Sequence, residues 1–199
     1  MGYSVDAVTD NCYEGTSCLI NKFNIRDEKK LIEVESDIVF GKTLLLENLP
    51  LEGDLNFEYY LSIHKFLFEE LYDWAGKLRN INISKKGTVF CPVEQLEEHC
   101  KNCFSRLAEN NYFLNLPREK LVDEVVDFYC STNMLHPFRE GNGRTQRIFI
   151  SKLVKQCGYE FNLSSIDEDD LMIATIQAAN GVKDYLIELF NKTITKTAR

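Results

Sequence analysis

Twelve residues, His136-Pro137-Phe138-Arg139-Glu140-Gly141-Asn142-Gly143-Arg144-Thr145-Gln146-Arg147, constrain this chain more than any other stretch. Apolar helical periodicity runs up to them and away from them, so they read as a loop between two helices. Pro137 disfavours the α conformation at His136, so the preceding helix is expected to stop near Leu135. Gly141 and Gly143 allow positive φ and close approach of backbone to a ligand. Successive N–H groups in such a turn form a nest for phosphate oxygens. The next helix, starting near Gly143–Arg144, points partial positive charge at the same place. Arg144 and Arg147 share a helix face, and their forked guanidiniums suit phosphate. Glu140 is a hard oxygen ligand of the kind Mg²⁺ uses beside substrate phosphates. His136 can be neutral near physiological pH and still accept a proton. Phe138, between polar neighbours, is expected to point inward and anchor the loop. Any one of these features fits a Gly-rich turn with solvated charges. Together they describe an anion site with proton chemistry beside it.

The rest of the chain reads as mainly helical. Residues 118–135 carry Leu121, Val122, Val125, Val126, Phe128, Tyr129 and Leu135, which is apolar around much of a helix and marks the central buried one. The helix after the loop is expected to run to about Gln156, with Gly158 as its cap. Further helices are expected over 26–48, Leu55–Ala75 with Asp54 as N-cap, Pro92–Asn110, a segment opened by a Ser165/Glu168 capping box, and Asp184–Phe190. Residues 78–91 change period: Leu78 to Ser84 alternates, Lys85-Lys86-Gly87 is a turn, and Thr88 to Cys91 is strand-like. An isolated hairpin is only marginally stable in water, so this one packs on the helices or serves a purpose. Residues 1–30 read as a turn-rich segment docked by Leu19, Ile20 and Phe23, and 191–199 as a polar, frayed tail. No repeat, low-complexity tract or internal linker is visible.

Composition excludes some classes. With 199 residues and 44% hydrophobic content, the chain suits one domain with a real core. A net charge of −8 argues against nucleic acid or an anionic membrane as the main partner. No apolar run has the length of a membrane span. The N-terminus lacks the pattern of a signal peptide, and Asp6 breaks the myristoylation pattern that Gly2 would open. The 7 cysteines therefore read as reduced thiols. Cys100-x-x-Cys103 is a lone pair beside His99, without the second pair that a zinc site needs.

The loop resembles the signature of the Fic (filamentation induced by cAMP) family, H-x-F-x-[DE]-G-N-G-R-x-x-R, and matches every fixed position from His136 to Arg147. Looser landmarks agree. Ile63-His64-Lys65-Phe66-Leu67-Phe68 and Tyr72-Asp73-Trp74-Ala75-Gly76 are similar to I-H-x-x-L-F and Y-x-W-A-G. Tyr13 to Lys22 is similar to the Y-x-Y-P-G-T…L-K-N-K segment of toxin-type members, with Glu14 in place of Pro. The resemblance implies a single Fic-type helical domain over 31–190, an N-terminal segment over 1–30 packed on it, and one β-hairpin "flap" over about 78–91.

For activity it implies a protein adenylyltransferase, moving AMP from ATP to a Tyr, Thr or Ser hydroxyl of a target protein and releasing pyrophosphate. His136 would be the base and Glu140 the Mg²⁺ ligand. Gly141, Asn142, Gly143, Arg144 and Arg147 would hold the phosphates, Arg147 taking the γ-phosphate. Ser84, Lys85, Lys86, Gly87, Thr88, Val89 and Phe90 would form the target-docking flap; the plainer reading of these is a surface hairpin. His64 reads as a packed histidine. Ser105-x-x-x-Glu109-Asn110 fits the family's inhibitory motif but lies between flap and signature, so inhibition is expected, if at all, from a small antitoxin supplying Glu in trans. The expected location is the bacterial cytoplasm, with secretion toward a host left open. Transfer of a phosphoryl or phosphocholine group, or a non-catalytic peptide-binding module using the hairpin edge, remain the alternatives.

Overall fold

A helix that is apolar on most sides needs partners on most sides, and the chain builds its architecture around that requirement. The computed structural model describes residues 4–5, 11–51, 53–85 and 87–197. In chain order these form β1 (Ser4–Val5), α1 (Glu28–Asn48), α2 (Phe57–Phe68), β2 (Ile83–Lys85), β3 (Thr88–Val89), α3 (Val93–Glu109), α4 (Arg118–Leu135), α5 (Asn142–Gln156), β4 (Tyr159–Phe161), α6 (Glu168–Ala179), α7 (Asp184–Thr193) and β5 (Ile194–Lys196). The fold is mainly α, as expected. The central helix α4 is covered by α3, α5, α6 and α7. Its partner α5 buries Ile148, Phe149, Ile150, Leu153 and Val154, and also packs on α2. Aromatic rings knit the centre: Phe104 meets Phe57, Tyr60, Phe128 and Phe149 at centroid separations of 5.2–5.5 Å. Such pairs add ~0.5–1.5 kcal/mol beyond area burial.

One buried polar residue of α5 ties it to α4, and a second closes the first turn of α5. Gln146 Nε2 donates to Tyr129 O (2.9 Å) and Thr132 Oγ1 (2.6 Å), while Thr145 Oγ1 donates to Gly141 O (3.1 Å). Both side chains are buried, so each would cost stability without these partners. The Gln146 bonds hold the start of α5 against α4, and the Thr145 bond fixes the turn that leads into α5.

Several expectations are corrected. The N-terminal segment is docked by buried Cys18 and Asn21, not by Ile20 and Phe23, which are half exposed. Asn21 makes a local knot: its amide donates to Leu19 O and Ile25 O and accepts from Ile25 N–H. Helix α2 is shorter than periodicity predicted and is capped by Asn56, whose Oδ1 accepts from Tyr59 N–H, rather than by Asp54. Ser165 does not open a capping box; it closes a short 3-10 turn, and Asp167 caps α6 by accepting from Asp169 and Asp170 N–H. The tail is not frayed through 197, because β5 pairs antiparallel with β4, Phe161 facing Ile194. Strands β4 and β5 are three residues each and lie far apart in the chain, so no hairpin turn marks their pairing in the sequence.

The hairpin of β2 and β3 pairs in the register Lys85 with Thr88. Its other edge is occupied: β1 pairs antiparallel with β2, Ser4 facing Ser84 and Val5 facing Ile83, giving the order β1-β2-β3. Gly2, Asp6 and Lys86 lie outside the described residues.

Candidate active site

The loop between α4 and α5 is built by three sharp local choices. Helix α4 ends at Leu135, and His136 caps it in the left-handed region (φ 44, ψ 59) rather than in the extended conformation usual before proline. Phe138 is fully buried, stacked between the rings of His64 (3.7 Å) and Tyr60 (5.6 Å). Gly141 has φ 79, and a Cβ there would lie 2.3 Å from the Phe68 ring, so only glycine fits. Gly143 differs from expectation. It is an ordinary residue in the first turn of α5, with open space where a Cβ would stand.

His136 is buried, and its Nδ1 lies 3.2 Å from Asn133 O. A carbonyl can only accept, so Nδ1 carries the ring proton and Nε2 is the basic nitrogen. Phe90, at the exit of the hairpin, stacks on the imidazole at 3.8 Å. Burial pushes the pKa of His136 down to about 3, with the Lys85 and Arg79 cations adding to it, so the ring is neutral.

Beside it stands the anion cradle. Gly141 N–H donates to Glu140 Oε1 at 2.8 Å, so the turn already binds a carboxylate oxygen. The side chain of Asn142 is not available to a ligand: Oδ1 accepts from Phe138 N–H and Nδ2 donates to Phe138 O, each at 2.8 Å. Only its main chain at the helix start is left to meet a ligand. Arg144 donates to Glu35 Oε1 (2.6 Å), approaches Glu140 Oε1 (3.5 Å) and lies over the Phe68 ring at 4.8 Å. Arg147 is exposed and has no ion pair among the described residues.

Glu35, a charged residue on α1, is buried. Its second oxygen accepts from the Tyr72 hydroxyl, whose pKa is raised by burial and then by the Glu35 charge. Its position between Leu31 and Val39 on a four-residue spacing was a legible signal. His64 accepts from Gly76 N–H at Nδ1 (2.8 Å) and therefore donates from Nε2 to Glu140 O (3.0 Å). It supports the loop from below without reaching its surface.

No group of three or more His, Cys, Asp or Glu residues could hold a metal ion among the described residues. Glu140 supplies one partly exposed carboxylate. That fits Mg²⁺, which keeps several waters and takes one or two carboxylates plus substrate phosphates. It would not fit a closed structural metal. Cys100 and Cys103 are free thiols on α3, pushed by burial to about 12 and 11, so neither is a reactive thiolate. Glu109 is exposed at the end of α3.

Known proteins resemble this chain in sequence and in fold. The profile of the Fic/DOC family matches residues 54–154. A probable protein adenylyltransferase of Sinorhizobium fredii is 35% identical over 85% of this chain and 88% of its own length. The probable protein adenylyltransferase Fic of Escherichia coli is 30% identical over 92% of this chain and 91% of its own. Among solved structures, the effector protein BepC of Bartonella tribocorum, with bound AMPPNP, superposes with a TM-score of 0.88 at 25% identity, covering 96% of this chain and 98% of that one.

Proposed function

This chain belongs to the Fic/DOC family, and from that premise we propose that it is a protein adenylyltransferase, moving AMP from ATP to a Tyr, Thr or Ser hydroxyl of a target protein. The observation that carries the reading is the loop itself. A neutral histidine with its basic nitrogen on Nε2 stands next to a turn where the Gly141 N–H and the Arg144 guanidinium each hold a carboxylate oxygen. The relatives named as adenylyltransferases and the neighbour bound to an ATP analogue support it.

In this reading the hydroxyl oxygen bonds to the α-phosphorus, the bond from that phosphorus to the β-phosphate oxygen breaks, and pyrophosphate leaves. The hydroxyl proton goes to His136 Nε2. Such a base is worth ~10²–10⁴ in rate. A low pKa keeps the ring unprotonated, and the charge of bound triphosphate raises its basicity where it is needed. Arg144, held by Glu35, presents its remaining donors to the α- and β-phosphates, and Arg147 reaches the γ-phosphate. The N–H groups at the start of α5 act as preorganised dipoles on the oxygens of the phosphorus under attack. Glu140 would hold Mg²⁺, which when bound offsets charge on the phosphates.

The target segment adds to the hairpin as a strand. Because β1 holds the β2 edge, that strand displaces residues 4–5 or adds beside β3, where Val89 is exposed. A small protein could bring an inhibitory Glu to Arg147, and the exposure of that arginine supports this reading. We place the protein in the bacterial cytoplasm, or in transit toward a host as its effector-like neighbours are; no helix among the described residues is long and apolar enough to cross a membrane.

The test is label transfer with Mg²⁺ and α- or γ-labelled ATP, with and without lysate, beside His136→Ala. Protein-bound label from α-ATP alone, lost in the variant, is expected. Label from γ-ATP would make the enzyme a kinase. No label, with no rise in melting temperature on adding nucleotide, would leave a non-catalytic peptide-binding module.

A further inference from the structure

Arg79 precedes the hairpin and is 4% exposed, yet no carboxylate pairs with it among the described residues. A buried guanidinium without a counter-ion needs another explanation. Every hydrogen bond it makes runs to a main-chain carbonyl: Nε to His136 O (2.8 Å), Nη2 to Leu135 O (3.2 Å) and to Cys91 O, and Nη1 to Ile81 O (2.7 Å). Its own N–H donates to Pro137 O at 2.8 Å, and Cys91 N–H donates to Met134 O at 2.9 Å. Within α4 and its cap, His136 N–H serves Thr132 O and its ring serves Asn133 O. The six successive carbonyls from Thr132 to Pro137 are thus satisfied, three of them by Arg79 alone. These are groups that a helix end leaves without partners. The negative end of the α4 dipole supplies the favourable charge that a carboxylate would otherwise give.

The same side chain spans the two ends of the hairpin, Ile81 before it and Cys91 after it. Phe90, one residue earlier, lies on the His136 ring. We propose that Arg79 is the positioning residue for the base. It holds His136 in its left-handed turn and binds that turn to both ends of the hairpin, so that docking surface and base form one rigid unit. Arg79, bonded only to main-chain carbonyls, acts through His136. The proposal rests on reading His136 as the base.

The substitutions Arg79→Lys and Arg79→Met, made in the full chain, test it. Lysine keeps the charge but has a compact head that cannot fork to both the helix end and the hairpin. The expected result is a kcat about 10–100-fold lower in both variants, the scale of a small misplacement of a catalytic group. The nucleotide KM stays unchanged, because the phosphate cradle lies on α5. In parallel, nitrogen NMR of the His136 ring reports the Nδ1–H tautomer in the parent and tautomer mixing in the variants. Unchanged kcat and unchanged ring signals in Arg79→Lys would overturn the proposal, as would a loss confined to nucleotide KM. If Arg79→Met does not fold, Arg79→Lys decides alone. If the parent itself transfers no AMP, the proposed function fails, while the ring signals still decide whether Arg79 holds His136.

Discussion

His64 and His136 are alike by most local measures. Both are buried, both stack on a phenylalanine ring at 3.7–3.8 Å, and burial drives both pKa values down to about 3. They differ in what occupies their nitrogens. His64 spends one on Gly76 N–H and the other on Glu140 O, both inside the protein. His136 spends Nδ1 on Asn133 O and is mounted on a left-handed turn at the end of a helix. Burial and pKa therefore do not distinguish the proposed base from a brace. The placement of the basic nitrogen does, and main-chain groups set it in each case.

The largest effect that separates the two is catalytic. His136→Ala should lower AMP transfer by ~10²–10⁴ and leave the melting temperature within a few degrees; an active His136→Ala enzyme would erase the distinction. The phenylalanines should split the opposite way. Phe138→Ala removes a fully buried ring from beneath the loop and should cost about 3–5 kcal/mol in denaturant unfolding. Phe90→Ala should cost less stability and show itself as a lower kcat. His64→Ala leaves Gly76 N–H and Glu140 O without a side-chain partner, for roughly 1–3 kcal/mol of stability. A loss of transfer larger than the loss of fold would promote His64 from brace to participant.

The two rings are also separable by pH dependence. Both histidines are neutral in the folded chain and have an ordinary pKa of 6.5 when unfolded. Between that value and about 3, the unfolded state binds more protons. Stability is therefore full above 6.5 and falls as pH drops through the window, by up to ~1.4 kcal/mol per pH unit for each histidine. Titrating unfolding free energy from neutral to mildly acid pH should show a slope of nearly two protons in the parent and one in His64→Phe. Equal slopes would mean that His64 is not the buried neutral ring described.

The sequence by itself determined the loop, the central helix and the family. These follow from local rules: a proline that stops a helix, a glycine that permits positive φ, and a periodicity of apolar residues long enough to be unambiguous. It also placed His136, Glu140, Arg144 and Arg147 on one short segment, because the chemistry is local in the chain. What surrounds them was decided only in the tertiary structure. Glu35 reaches Arg144 across 109 residues of chain and Arg79 reaches His136 across 57, and no local pattern specifies such pairs. Asn142 looked like a ligand group and became a brace, because the fold brought both main-chain groups of Phe138 within its reach. Burial turned an ordinary Arg and an ordinary Glu into structural partners of the site. A buried charge must find partners wherever the chain brings them, and that depends on packing, which periodicity does not contain.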